Sequence, residues 1–167
     1  KNKENLNEIK MYKYLNNRNI VKIYDYYIKN NYYNIILEYM NMGDINNIIE
    51  HKNIFNILLQ ITNGIRFIHD NNIIHGDIKL ENIICKNNNP ENCHLIDLGM
   101  STLIGEGMIF KDCDYNCGTI PFVSPEVVIS KKIGPGSDIW SLGCLMYLLL
   151  FFKHPFNNNP DIFKDAI

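Results

Sequence analysis

The chain has 167 residues, of which 46% are hydrophobic, and a formal net charge of −2 at pH 7. That length predicts one domain that can bury a sizeable core. Because there is no excess of positive charge and no basic run, nucleic acid and anionic membrane surfaces are not expected partners.

The five cysteines stand at positions 85, 93, 113, 117 and 144. Their number is odd, no CxxC pair occurs, and no signal peptide precedes them. This pattern predicts a reduced, intracellular protein in the cytoplasm. A metal clip made by Cys113 and Cys117 is an alternative, although no Cys/His pair adjoins it.

The first third of the chain predicts a helix followed by a hairpin. Over residues 4–16 the apolar side chains of Leu6, Ile9 and Tyr12 recur near helical spacing. Residues 21–28 and 32–39 read as strands joined by Lys29-Asn30-Asn31, which is a hairpin signal. The second strand ends shortly before Gly43, where the chain is expected to turn.

Two longer helices are predicted further along. Residues 54–69 carry a stripe of isoleucine and leucine, with Gly64 inside it at a cost of about 1 kcal/mol. Ser137 is a good N-cap for a second helix, which is apolar on all sides up to Phe152. A membrane span is the competing interpretation, but the segment falls short of the roughly 20 residues needed, so a buried core helix is expected.

Between these helices lies the sequence HGDIKLEN, residues 75–82. Asp77 and Lys79 are two residues apart, so in an extended loop they project to the same side. A carboxylate can accept a hydroxyl proton while a neighbouring ammonium neutralises a phosphoryl group. Asn82 adds a hard oxygen of the kind that Mg²⁺ accepts.

Two short apolar strands follow this loop, around the turn at residues 87–90. If they pair antiparallel with Ile84 opposite Leu95, then Asp97 falls opposite Asn82. A second oxygen ligand would thereby come next to the first.

HGDIKLEN followed by Asp97-Leu98-Gly99 resembles the catalytic loop and metal-binding turn of the eukaryotic protein kinases, usually HRDxKxxN and DFG. GTIPFVSPE, residues 118–126, resembles their substrate-binding loop. The resemblance implies an α+β, two-lobed kinase-like fold that is truncated. Residues 1–40 would be a remnant of the N-lobe with helix C and strands 4 and 5 but without strands 1–3. Residues 41–167 would be a C-lobe through helix F and the start of helix G, without the last helices.

The resemblance also implies roles for single residues. Asp77 would be the catalytic base, Lys79 the lysine beside the phosphate, and Thr119 the threonine that bonds the catalytic Asp. Glu8 would pair with the lysine of strand 3. The implied Mg²⁺ ligands are Asn82 and Asp97. The implied contacts of ATP are Glu38, Met40, Asp44, Glu81 and Ile84. Helix F would brace the backbone of the catalytic loop through Asp138.

The function that the resemblance implies is a protein serine/threonine kinase, which transfers the γ-phosphate of ATP to a protein substrate with Mg²⁺ as cofactor. The family's Gly-rich loop and strand-3 lysine do not precede Glu8 here. A pseudokinase scaffold that binds a partner protein without phosphoryl transfer is the alternative. A regulatory domain outside this chain is also expected.

Gly76 stands where most kinases of this kind carry an arginine that holds the phosphate of the activation loop. Glycine offers no such donor, and Tyr115 occupies the position where a phosphorylated threonine is common. Residues 101–116 show no strong periodicity and contain Gly105 and Gly107, so they are expected to form a mobile loop. Because of Gly76 and Tyr115, we expect that phosphorylation of this loop is not the main switch and that control comes from the placement of helix C or from a flanking domain. The alternative is that a lysine replaces the arginine and that Ser101 or Thr102 is phosphorylated.

Overall fold

The computed structural model describes residues 2–41, 50–87, 89–113 and 117–156. Along these ranges, helices alternate with short strands, in the α+β class expected. The elements are α1 Asn2–Tyr14, β1 Ile23–Lys29, β2 Tyr32–Leu37, α2 His51–Asp70, β3 Ile73–Ile74, β4 Ile83–Cys85, β5 Cys93–Leu95, β6 Thr102–Leu103, β7 Lys111–Asp112, α3 Pro125–Ser130, β8 Lys132–Ile133 and α4 Pro135–Phe151. The expected start of helix G at 161–167 lies outside the described residues, as do Asp44 and Tyr115.

The strands of the described ranges pair two by two, all antiparallel: β1 with β2, β3 with β6, β4 with β5, and β7 with β8. The β1–β2 hairpin turns at Asn30 and Asn31, whose φ angles of 52° and 62° suit a tight two-residue turn.

β6 and β7 belong to the segment predicted as a mobile loop. Pairing with β3 and β8 orders it, a long-range effect that local periodicity does not reveal.

The β4–β5 register differs by one residue from the prediction. Ile83, not Ile84, stands opposite Leu95, and Ile84 stands opposite His94. Asn82 therefore lies beside Ile96, whose N–H donates to Asn82 O at 3.0 Å. A one-residue slip exchanges the two faces of a strand, and this register buries Ile83 with Leu95 in the core.

Helix α2 forms the centre of the core. Its buried face carries Ile54, Ile57, Ile61, Ile65 and Ile68, and it packs against β5 and α4. Close packing explains why a glycine occurs at position 64 inside this helix, because a Cβ there would lie 3.0 Å from Leu95 Cδ1 and 3.1 Å from Asn19 O. The glycine lets the loop before β1 approach the helix closely.

Helix α4 begins earlier than predicted, at Pro135, so Ser137 is not its N-cap. Ser137 Oγ instead accepts the Gly134 N–H at 3.2 Å and donates to Glu126 Oε1 at 2.8 Å. Proline suits the first position of a helix because its missing N–H would have no partner there. No helix in the described ranges is long and apolar enough to cross a membrane.

The prediction that all cysteines are reduced is wrong for two of them. Cys85 and Cys93 are cross-strand partners in β4–β5 and form a disulfide, with a Cα–Cα distance of 3.9 Å. They occupy a position without backbone hydrogen bonds between them, next to the bonded pair Lys86 and Asn92. Opposite residues at such positions approach closely, so the pairing depends on the strand register. The predicted intracellular location rested on reduced cysteines, so the disulfide removes that support and the location stays a prediction.

Candidate active site

Asp77 lies at the centre of a hydrogen-bonded cluster of the predicted catalytic residues. The Thr119 hydroxyl donates to its Oδ1 at 2.6 Å, and Lys79 Nζ lies 2.7 Å from its Oδ2. Lys79 Nζ also donates to Thr119 Oγ1 at 2.9 Å. The Asp77 side chain is only 8% exposed, so its negative charge is compensated by these neighbours rather than by bulk water.

Asn82 closes the cluster from the end of a short 3₁₀ turn, Leu80–Asn82. Its Nδ2 donates to Asp77 O at 2.8 Å and to Asp77 Oδ2 at 3.1 Å. Because the amide nitrogen bonds Asp77, the carbonyl oxygen of the side chain is the atom left for a cation. Asp77, Lys79, Asn82 and Thr119 are thus brought together, although Thr119 is distant in sequence.

Helix α4 holds the backbone of the catalytic loop through Asp138. Asp138, 1% exposed, accepts the N–H of His75 and of Gly76, each at 2.9 Å, and contacts His69 Nε2 at 2.8 Å. Burial lowers the pKa of His75. Its neutral ring accepts the Asp77 N–H at Nδ1, 3.3 Å away. The bracing role expected for Asp138 is present in this geometry.

A cavity of about 440 Å³ opens beside this cluster. Its walls are mostly apolar and include Val21, Leu37, Met40, Ile84 and Ile96. Three predicted carboxylates also line it, namely Glu8, the expected partner of the strand-3 lysine, Glu38, an expected ATP contact, and Asp97, an expected Mg²⁺ ligand. Met40 and Ile84 of the apolar wall are expected ATP contacts as well. An apolar slot whose lining includes a few carboxylates fits a flat aromatic ligand that carries a cation-bound polar group.

Two carboxylates at this cavity repel each other. Burial and the charge of Asp97 both raise the pKa of Glu8. Tyr12, whose hydroxyl accepts the Asp97 N–H at 3.2 Å, has its pKa raised by burial and by Glu8. Such a pair fits an occupant or partner that brings positive charge, as the expected lysine or a magnesium ion would.

The remaining predicted site residues fall elsewhere. Glu81 is exposed and is not among the residues that line the cavity. Asp44 lies outside the described residues. The sequence analysis missed the ion pair between Lys86 and Glu38, because nothing in a local pattern connects residues that far apart.

The described residues contain no group of three His, Cys, Asp or Glu side chains that could hold a metal, so nothing supports the Cys113/Cys117 clip. A magnesium site of the expected kind needs fewer than three protein carboxylate, histidine or cysteine ligands. Mg²⁺ is commonly held by one or two carboxylates together with phosphate oxygens and water. Asp97, exposed at the cavity, and the Asn82 carbonyl oxygen match that donor set.

The chain was compared with known proteins. A family model described as "Protein kinase domain" matches residues 1–166. The SNF1-related protein kinase catalytic subunit alpha KIN12 of Arabidopsis thaliana is 34% identical over 111 residues, 65% of this chain and 22% of that protein. The calcium/calmodulin-dependent protein kinase type 1 of Caenorhabditis elegans is 34% identical over 107 residues, 64% of this chain and 30% of that protein.

The human serine/threonine-protein kinase Nek5 is 37% identical over 107 residues, 64% of this chain and 14% of that protein. The aligned part therefore spans less than a third of the length of each of these relatives. The family model, by contrast, covers nearly the whole chain and includes both the catalytic loop and the residues that line the cavity. The chain belongs to the protein kinase domain family.

Proposed function

We propose that this chain is part of the catalytic region of a serine/threonine protein kinase, which transfers the γ-phosphate of ATP to a hydroxyl of a protein substrate. The observation that carries the proposal is the cluster in which Asp77, Lys79, Thr119 and Asn82 are hydrogen-bonded to one another. The name of the human relative Nek5, a serine/threonine-protein kinase, supports the same choice.

In this proposal Asp77 accepts the proton of the substrate hydroxyl, and Thr119 holds its carboxylate in one orientation. Lys79 neutralises charge on the transferred group. Asn82 and Asp97 would hold Mg²⁺, and the backbones of Glu38 and Met40 would bond adenine, with Ile84 packing against it. When bound, Mg-ATP supplies the phosphoryl group and much of the charge compensation that this chemistry needs.

The test uses the full-length protein with a generic peptide and ATP. Asp77→Asn should lower kcat by about 10²-fold to 10⁴-fold, because it removes the general base. Asp97→Asn should instead weaken magnesium-dependent nucleotide binding. Asp70→Asn is the control, since Asp70 lies on the exposed side of α2, 3.8 Å from Arg66. Turnover like the wild type in the Asp77 variant would refute the proposal.

A further inference from the structure

The β4–β5 hairpin contacts the wall of the cavity through two adjacent residues. Lys86 Nζ forms an ion pair with the Glu38 carboxylate, and Asn87 N donates to Asn41 O at 3.1 Å. The wall segment 38–41 therefore meets the hairpin at both of its ends, on either side of Met40. Glu38 N also donates to Lys22 O at 2.7 Å, which ties the segment to the residue that precedes β1.

The hairpin is itself firmly held. Lys86 N donates to Asn92 O at 2.9 Å, next to the Cys85–Cys93 disulfide. Cys93 N donates to Gln60 Oε1 of α2 at 2.9 Å. Lys86 thus projects from a backbone that is anchored to the central helix, and its ion pair extends that anchorage to the cavity wall.

The pair is partly shielded from water, with 33% of the Lys86 side chain and 21% of the Glu38 side chain exposed. The bond to Lys86 lowers the pKa of Glu38, and the bond to Glu38 raises the pKa of Lys86. Both groups are charged at neutral pH. Lys86 is not among the residues lining the cavity, so the ion pair contacts the cavity through Glu38.

We propose that Lys86 is a positioning residue for nucleotide binding, which holds the 38–41 wall in place for adenine through its ion pair with Glu38. This rests on the proposed function, because it takes ATP as the occupant of the cavity. The lysine acts on the adenine side of the ligand and leaves phosphoryl transfer itself unchanged.

The experiment measures the Kd of adenosine by calorimetry, and the KM of ATP and kcat, in the full-length protein. Lys86→Met should raise the Kd and the KM by the same factor, about threefold to fivefold, while kcat is unchanged. Lys86→Arg should restore both values. Lys52→Met is the matched control, because Lys52 forms an ion pair of the same kind with Glu50, 2.6 Å away at the start of α2; it should change nothing.

A double-mutant cycle tests whether Lys86 acts through Glu38. Glu38→Gln should weaken adenosine binding as Lys86→Met does, and the double variant should be no worse than either single one. Additive losses, a tighter adenosine complex, or a loss seen with ATP but not with adenosine would each overturn the inference. The last result would mean that Lys86 attracts the phosphates directly.

Adenosine also separates this inference from the proposed function. If the wild-type protein and the Lys86→Met variant bind adenosine equally well, the inference alone is overturned. Adenosine binding that depends on Lys86 in a protein that phosphorylates no peptide supports the inference and counts against the proposed function. A wild-type protein that binds no adenosine overturns both.

Discussion

At the scale of single residues, Thr119 shows how one hydroxyl serves two charged neighbours. It donates to Asp77 Oδ1 and accepts from Lys79 Nζ. The hydroxyl thereby links the loop at residues 118–126 to the catalytic loop. Without it, the Asp77 carboxylate would keep the bonds from Lys79 and Asn82, both on Oδ2, but lose the one that fixes Oδ1.

Replacing Thr119 by valine, which has the same shape, should therefore lower kcat in the full-length protein. Valine removes both hydrogen bonds of the hydroxyl, and the loss of the one to the Asp77 carboxylate costs about 1.5 to 3 kcal/mol, or roughly tenfold to a hundredfold in rate. The KM of ATP should stay the same, because Thr119 does not line the cavity. Thr119→Ser keeps the hydroxyl and should retain most of the activity; equal losses in both variants would contradict the role.

Gly76 is a second residue whose environment bears on function. Its φ is 80°, and a Cβ there would lie 2.9 Å from Met100 O, so a side chain would require the backbone to shift.

Ser101, one of the two alternative phosphorylation sites, is 2% exposed and donates to His75 O at 3.2 Å. A phosphate on Ser101 would have to break this buried contact, which leaves Thr102 as the more accessible alternative.

At the scale of elements, the segment between β6 and β7 is held at both ends by contacts within the chain. β6 pairs with β3, and β7 pairs with β8. Lys111 Nζ joins the two strands of the segment, since it donates to Thr102 Oγ1 at 2.7 Å and to Leu103 O at 3.1 Å. These contacts fix both ends of the segment from within the chain.

We therefore expect loop phosphorylation to contribute little to activity. Phosphatase treatment of the full-length protein should change the rate of peptide phosphorylation by less than about threefold, since a phosphate would have no arginine at position 76 to bind. Mass spectrometry before and after treatment verifies phosphate removal. A tenfold loss that is reversed by phosphorylation between Ser101 and Thr119 would show that the loop is the switch after all.

At the scale of the whole molecule, the β1–β2 hairpin exposes large apolar side chains. Tyr24, Ile28 and Tyr32 are each more than half exposed, and Tyr27 and Ile36 are also exposed. Clustered exposed apolar groups on a strand pair commonly mark a surface that another element covers. In the resemblance to kinases, strands 1–3 would provide such a cover.

The 167-residue chain by itself should consequently be inactive and should aggregate. Size-exclusion chromatography of the chain should show large assemblies, and a peptide phosphorylation assay should show no turnover. The full-length protein serves as the control for both measurements. A soluble monomer of the short chain that phosphorylates a peptide would contradict this prediction.

The amino-acid sequence by itself predicted which residues form the candidate site. Asp77, Lys79 and Asn82 lie within one short loop, so their spacing alone predicted that they act together. The helices at 51–70 and 135–151 were predicted within a few residues, because a buried helix leaves a periodic or continuous apolar pattern. The roles of these residues in catalysis remain a proposal.

Only the tertiary structure decided how distant segments meet. The register of β4 against β5, the Cys85–Cys93 disulfide and the Lys86–Glu38 pair all depend on which of several near-equivalent partners a strand or a side chain selects. A one-residue slip changes no local preference, because every residue of β4 and β5 is buried, yet it changes which side chains face each other across the hairpin. That choice depends on packing against α2 and the rest of the core, which no short stretch of sequence contains.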